Sequence, residues 1–295
     1  LITVRDLLRY AVSRFAVAGL SYGHGTSNGP DEAAFLILET LRLPIDDLEP
    51  WLDARLTRAE RLLLLSRFEA RIATRKPAPY LTGSAYIKGH RFIVDERTIV
   101  PRSFIGEILC DNPEYIADPA HVGRVLDLGT GGGSLAILAA LAFADATLDA
   151  VDLSAPALAL ARLNIRSYGL EDRIGLLEGD LFAPVGTSRY DLIVANPPYV
   201  TTASLAAFPP EFAAEPRLAH DGGADGLDIV RRVIADAGRH LEPDGVLIVE
   251  IGAGRSVLEA AYPKLPFEFL DTETSAGEVF RLTASALQPR QRGTE

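Results

Sequence analysis

Arg124-Val-Leu-Asp127-Leu128-Gly129-Thr130-Gly131-Gly132-Gly133 decides how the rest of the chain is read. A short apolar run that ends in glycines reads as a buried strand and the turn after it. Residues 134–144, rich in Leu and Ala, continue as a helix. The glycines allow a tight turn and close approach of a ligand to the backbone. The same alternation recurs downstream. Strands are expected at 147–151, 173–177, 190–195 and 246–251, with helices at 155–168 and 224–240, and closing strands near 267–271 and 279–283. Strands alternating with helices imply an α/β fold with a mostly parallel, doubly wound sheet.

Upstream, the periodicity changes. Val4, Leu7, Leu8, Ala11, Val12 and Phe15 have helical spacing, and Gly19 ends that helix. Tyr22-Gly-His-Gly-Thr-Ser-Asn28 is a glycine-rich loop, for which a plain connector is preferred over a ligand clamp. Asp31 is expected to cap a helix over 33–43, and Thr57-Arg-Ala-Glu60 has the pattern of a capping box before a helix to about residue 75. Pro77 and Pro79 break the pattern, and alternation over 80–100 predicts a β-hairpin. Pro101-Arg102-Ser103 opens the next helix. The expected division is a helical domain at 1–76, a hairpin linker at 77–100, a catalytic-type α/β domain at 101–287 and a loose polar tail at 288–295.

Composition narrows the function. The 295 residues are 48% apolar and carry a formal charge of −11, against the clustered Lys and Arg that grip a phosphate backbone. Direct DNA binding is therefore not expected, whereas a basic partner is compatible. Cys110 is the single cysteine, which leaves no disulfide and no cysteine metal site. The five histidines lack ligand spacing, so no metal is expected. The longest apolar run, 135–144, is too short to span a membrane, and no signal peptide is visible. A cytoplasmic protein is expected. No Met occurs, even at position 1, so a natural start ahead of Leu1 is expected.

The candidate site follows the strand ends. Asp152 lies 23 residues beyond Gly129, at the place of a carboxylate that accepts ribose hydroxyl protons in either NAD or S-adenosylmethionine. The G-x-G-x-G spacing differs from the dinucleotide fingerprint. Asp127 just ahead of it would repel a pyrophosphate and suit the ammonium of a methionyl group. Asp180 can accept from an adenine amino group, with Leu181 or Phe182 covering the ring. The strand 190–195 runs into Asn196-Pro197-Pro198-Tyr199. Prolines cannot extend a ladder, so the strand stops and leaves a stiff loop at its carboxyl end, where open α/β sheets bind ligands. The Asn196 carbonyl and a neighbouring backbone carbonyl can accept both hydrogens of a planar NH2 group, with Tyr199 against its face. An amide or an exocyclic base amine fits equally, as long as the base is flipped out. A cofactor-binding protein without turnover is the remaining alternative.

In their order these motifs resemble the class I S-adenosylmethionine-dependent methyltransferases, and within them the HemK-type protein glutamine methyltransferases. The carrying residues are Pro79-Tyr-Leu-Thr-Gly83, Phe92 to Arg102, Asp127 to Gly133, Asp152, Asp180 and Asn196 to Tyr199. Tyr22 to Thr26, Val100 to Ser103, Glu215-Pro216, Asp225 to Asp228 and Tyr262-Pro263 bring it nearer the branch acting on large-subunit ribosomal protein L-three than the one acting on peptide chain release factors. Departures are Thr130-Gly-Gly132, where Thr-Gly-Ser is more familiar, and Phe104, where Pro is common. The resemblance implies a Rossmann-like sheet of seven strands with the last antiparallel, a helical amino-terminal domain that reads the protein substrate, and a hairpin linker. It implies S-adenosylmethionine as cofactor and S-adenosylhomocysteine as product. Asn196, Pro197 and Tyr199 would hold the target amide. Asp127, Gly129, Thr130, Gly131, Gly133, Asp152, Leu153, Asp180, Leu181 and Asn196 would line the cofactor site.

Overall fold

The computed structural model describes residues 1–272 and 274–287, so the expected tail at 288–295 lies outside the described residues. The chain forms two compact units. One is Leu1–Arg102 together with Phe208–Pro216, and the other is Ser103–Ala207 with the chain from Arg217 onward. The sequence reading ran the second domain without a break from 101. Nine of its residues, 208–216, instead belong with the first unit.

The first unit begins with α1 (Val4–Ala18), α2 (Gly29–Leu41), α3 (Arg58–Thr74) and the short α4 (Ala78–Thr82), followed by the hairpin β1 (Ser84–Ile87) and β2 (His90–Ile93). Thr57 and Glu60 form the expected capping box on α3. α2 starts four residues before position 33. Asn28 rather than Asp31 accepts the cap bond, through Oδ1 from the Asp31 backbone N–H at 2.9 Å, and Pro30 stands in the first turn. The hairpin is shorter than the alternating stretch, because residues 78–82 close a helical turn between Pro77 and Gly83. Leu7, Phe15, Leu36, Ile37, Leu64 and Phe68 form the core of this unit.

A buried charge cluster ties residues 208–216 into that unit. Arg71, with no exposed surface, donates from Nε to Glu32 Oε1 at 2.7 Å and from Nη2 to the Ser21 carbonyl at 2.8 Å. Glu211 Oε1 accepts from the Ser21 N–H at 3.1 Å and from Arg75 Nη1 at 3.0 Å. Glu215 takes Arg102 in a two-pronged bond, at 2.7 and 2.8 Å, and accepts from the Val100 N–H at 2.8 Å. Buried charges are tolerated only when paired and hydrogen-bonded in this way.

The second unit opens with α5 (Phe104–Asp111) and then alternates: β3 (Arg124–Leu128), α6 (Ser134–Ala142), β4 (Thr147–Asp152), α7 (Ala155–Ser167), β5 (Ile174–Glu178) and β6 (Tyr190–Ala195). It continues with α8 (Thr202–Leu205), α9 (Asp228–His240), β7 (Leu241–Glu250), α10 (Arg255–Ala261), β8 (Glu268–Leu270), β9 (Val279–Thr283) and α11 (Ala284–Leu287). The seven-stranded sheet has the order β5-β4-β3-β6-β7-β9-β8. Only β9 runs against its neighbours, as expected. Strand order reverses between β3 and β6, so the crevice at their carboxyl ends is the topological switch point where such sheets bind ligands. Leu126, Ile193 and Leu247, one on each central strand, are wholly buried. The helix expected from 224 starts at Asp228, because Gly226 takes φ +82° and the Asp228 N–H bonds back to the Gly222 carbonyl. α10 was not anticipated.

Replacing Arg71 by Ala leaves Glu32 buried without its guanidinium and takes from Glu211 a second one at 3.7 Å, while Arg75 stays on Glu211. The expected cost is about 3–5 kcal/mol of stability, measured as a lowered urea midpoint for the full chain. An unchanged midpoint would show that the cluster carries no net weight.

Candidate active site

The glycine loop is fastened to the neighbouring strand β4. The Gly129 and Thr130 N–H groups donate to the Val151 carbonyl, each at 2.9 Å. Gly129, Gly131 and Gly133 have φ of +73°, +55° and +81°, a region L side chains rarely enter. A Cβ on Gly133 would also stand 3.2 Å from Ala161 Cβ on α7.

Asp127 is fully buried at the end of β3. Its Oδ2 accepts from Thr130 Oγ1 at 2.6 Å and from the Ala136 N–H at 3.0 Å, which pins the loop to the start of α6. Its Oδ1 is buried without a hydrogen-bond partner. Burial pushes this carboxyl up to about 7; the Thr130 and Ala136 bonds oppose the rise, and the Asp152 charge adds to it. An approaching cation would satisfy Oδ1. Asp152 holds the Gly131 N–H at 2.8 Å through Oδ2 and the Ser154 N–H at 2.8 Å through Oδ1. Each carboxylate oxygen has a second acceptor position, so two ribose hydroxyls can still be received. Leu153 beside it is 56% exposed, an apolar surface free to cover a ligand.

After β5 the chain separates two residues that sequence left as equals. Phe182 is buried and stacks on His240 at 4.6 Å, so it is committed to the core. Leu181, at φ +49°, is the one left to flank a ring. Asp180 Oδ2 accepts from Arg232 at 2.7 Å. That bridge is half exposed, and such pairs hold weakly enough to exchange partners.

The Asn196-Pro-Pro-Tyr loop leaves β6 at Ala195, where the prolines require it to stop. Its course is then fixed by the segment 220–226. Val200 N–H donates to the His220 carbonyl at 3.0 Å, Gly222 N–H to the Val200 carbonyl at 2.8 Å, and Thr202 N–H to the Gly223 carbonyl at 2.8 Å. A Cβ on Gly222 would meet the Pro198 carbonyl oxygen at 2.8 Å, and one on Gly226 the Tyr199 carbonyl oxygen at 2.3 Å. Tyr199 is gripped at its far end too. Its ring leaves no space for a Cβ on Gly252, which would stand 2.6 Å from Cε2. Its hydroxyl donates to Glu250 Oε1 at 3.3 Å.

Glu250 was not found from sequence. It ends β7, is 1% exposed, and receives Ser103 Oγ at 2.7 Å and the Phe104 N–H at 2.9 Å on Oε2. Burial drives its carboxyl up to about 7, against the hydrogen bonds from Ser103, Phe104 and Tyr199. Ser103 therefore starts α5 without capping it, since its hydroxyl is given to Glu250.

These strand ends carry a glycine cradle with acidic residues behind it and a rigid polar loop beside it. Comparison with known proteins gives the family of the chain. The family model for the methyltransferase small domain matches residues 114–208. Ribosomal protein uL3 glutamine methyltransferase of Burkholderia pseudomallei (strain K96243) is 55% identical over 293 residues, 97% of this chain and 95% of the relative. The enzyme of the same name from Bradyrhizobium diazoefficiens is 52% identical, over 97% of this chain and 92% of the relative. This chain belongs to the uL3 glutamine methyltransferase family. Among solved structures, the hMettl16 catalytic domain in complex with MAT2A 3'UTR hairpin 1 matches with a TM-score of 0.52 and 14% identity, over 86% of this chain and 91% of that one. That likeness concerns the fold alone.

In the Asn196 loop, residues outside the motif matter as much as those in it. Gly222, Gly226, Gly252 and Glu250 shape the loop without belonging to its motif. Among the described residues, no group of His, Cys, Asp and Glu could hold a metal ion, and no helix is long and apolar enough to cross a membrane.

Two measurements test this arrangement. Gly226→Ala adds a Cβ against the Tyr199 carbonyl and should cut methyl transfer at least tenfold while S-adenosylhomocysteine affinity, read by calorimetry, stays unchanged. For Glu250, the carboxyl titrates near 4.5 when unfolded and is pushed up to about 7 when folded. Its contribution to stability is thus complete below about 4.5 and is lost as pH rises through 7. Glu250→Gln should flatten the fall in melting temperature across that window. An equally steep fall would place the effect elsewhere.

Proposed function

We propose that this protein transfers the methyl group of S-adenosylmethionine to the side-chain amide nitrogen of a glutamine in ribosomal protein uL3, leaving S-adenosylhomocysteine. The observation that carries this reading is the Asn196-Pro197-Pro198-Tyr199 loop, held on three sides at the end of β6, in a chain of this family. The cofactor supplies an electrophilic methyl on a sulfonium sulfur. Asp152 would receive the ribose hydroxyls, Asp127 Oδ1 would accept from the ammonium of the methionyl part, Leu181 and Leu153 would flank the base, and Asp180 would accept from the adenine amino group in place of Arg232.

An amide nitrogen is a weak nucleophile because its lone pair is delocalised. The Asn196 side-chain carbonyl and the Pro197 backbone carbonyl accept the two amide hydrogens, which draws the nitrogen toward a tetrahedral shape and localises that pair. Tyr199 packs on the amide plane, with its ring held by Glu250 and Gly252. Fixed placement of the nitrogen supplies most of the acceleration, since well-oriented groups act at very high effective concentration. As the carbon–nitrogen bond forms, the carbon–sulfur bond breaks and one amide proton leaves to water. A substrate made for ribosome assembly places this chemistry in the cytoplasm.

The deciding experiment is labelled methyl transfer to purified uL3, a peptide chain release factor and DNA. Label on a glutamine of uL3 alone is expected. Label on the release factor would move the substrate to the sister branch, and label on DNA would leave the loop chemistry standing with the wrong ligand. Asn196→Ala should abolish transfer with cofactor affinity retained, whereas Asp152→Ala should weaken cofactor binding at least tenfold. Unchanged affinity in the second variant would remove Asp152 from the ribose site.

A further inference from the structure

The first unit holds a cavity that the transfer reaction leaves unexplained. It measures about 280 Å³ and is bordered by the glycine-rich loop after α1, the start of α2 and the hairpin. Its volume falls just below the roughly 300–1,000 Å³ of small-molecule pockets, which suits a single long side chain.

The chemistry of the walls is one-sided. Two carboxylates, Asp31 and Asp46, line the cavity, and no Lys or Arg does. Asp31 spends one oxygen on Asn28 Nδ2, at 2.7 Å. Asp46 is exposed and makes no hydrogen bond or ion pair with any described residue. Phe35 and Tyr86, edge to face at 6.4 Å, supply aromatic surface of the kind that attracts cations.

A buried imidazole without a hydrogen bond stands in the same wall. His24 is 1% exposed and packs on Phe212 at 4.2 Å between ring centres. Neither ring nitrogen has a hydrogen-bond partner; Nε2 comes no nearer than 3.5 Å to Glu215 Oε2. A buried polar atom without a partner costs free energy, unless something else supplies the bond. In a neutral imidazole one nitrogen is an acceptor, and an N–H donor entering the cavity would satisfy it.

We propose that this cavity receives one cationic side chain, arginine or lysine, of the protein substrate. The inference rests on the reading of uL3 as that substrate. A protein that sits on ribosomal RNA must carry many Lys and Arg to neutralise phosphates, and this chain carries a formal charge of −11. Acidic walls, aromatic faces and an unpaired imidazole acceptor together select a cation over an apolar or anionic group. The cavity thus anchors the substrate away from the glutamine that reacts, and its contribution appears in substrate binding and not in the chemical step.

The test is steady-state methylation of purified uL3 by the wild type, Asp46→Asn and Asp46→Lys, with the affinity of each for S-adenosylhomocysteine measured in parallel. Asp46 is exposed, so both variants are expected to melt with the wild type. The expected result is a KM for uL3 raised about tenfold in Asp46→Asn and further in Asp46→Lys, as loss and reversal of a paired charge predict, with kcat and cofactor affinity unchanged. One Lys→Glu or Arg→Glu change in uL3 should harm the wild type and be rescued by Asp46→Lys. Unchanged KM in both variants overturns the proposal. Should the wild type transfer nothing to uL3, its binding to uL3 by fluorescence anisotropy still decides. Weakening by Asp46→Lys would keep the cavity and sink the methylation reading, and equal binding would sink the cavity.

Discussion

The sheet must end at Ala195. Two prolines follow Asn196, and neither can give an N–H to a neighbouring strand. The backbone that leaves β6 therefore needs partners from elsewhere, and it finds them in the turn before α9. That demand explains why residues 220–226 are rich in glycine. They lie against the Pro198 and Tyr199 carbonyls at distances that exclude a side chain. It also explains why α9 begins late, since its first turn is already committed to closing this clamp. The polar loop is consequently bonded and packed along its whole course from Pro198 to Thr202.

Electrostatics repeat the same arrangement at two strand ends. Asp127 and Glu250 are carboxyls without solvent, both pushed up to about 7 by burial and both used to fasten loops. One ties the glycine turn to α6, and the other ties Tyr199 to the start of α5. The glycine cradle and the Asn196 loop therefore rest on two buried carboxyls on neighbouring sides of the crevice.

What could be read from sequence is what local chemistry enforces. β3, β6 and β9 and the glycine turn were legible because apolar runs, glycine and proline act on their own backbone. The Asn196 loop was legible for the same reason. Glu250 was not, since its meaning depends on Ser103, which stands 147 positions away and meets it only in the fold. The fate of Phe182 turned on a stacking partner, His240, that no spacing announces. The helix caps divided similarly. Thr57 and Glu60 form a self-contained pair, whereas Asp31 lost the capping place to Asn28, three residues nearer the loop. Residues 208–216 follow the Asn196 loop closely in sequence. Only the burial of Glu211 and Glu215 among the arginines of the first unit shows which core they join.

That excursion has a consequence for how such an enzyme can be taken apart. The polypeptide passes between its two units three times, at 102–103, 207–208 and 216–217. No single cut separates them. A fragment starting at Ser103 would carry a nine-residue loop whose two glutamates have lost Arg71, Arg75 and Arg102. A fragment ending at Arg102 would keep those arginines with no carboxylate from the loop. A gene cut at the obvious linker would therefore deliver two halves, each missing part of the buried charge cluster.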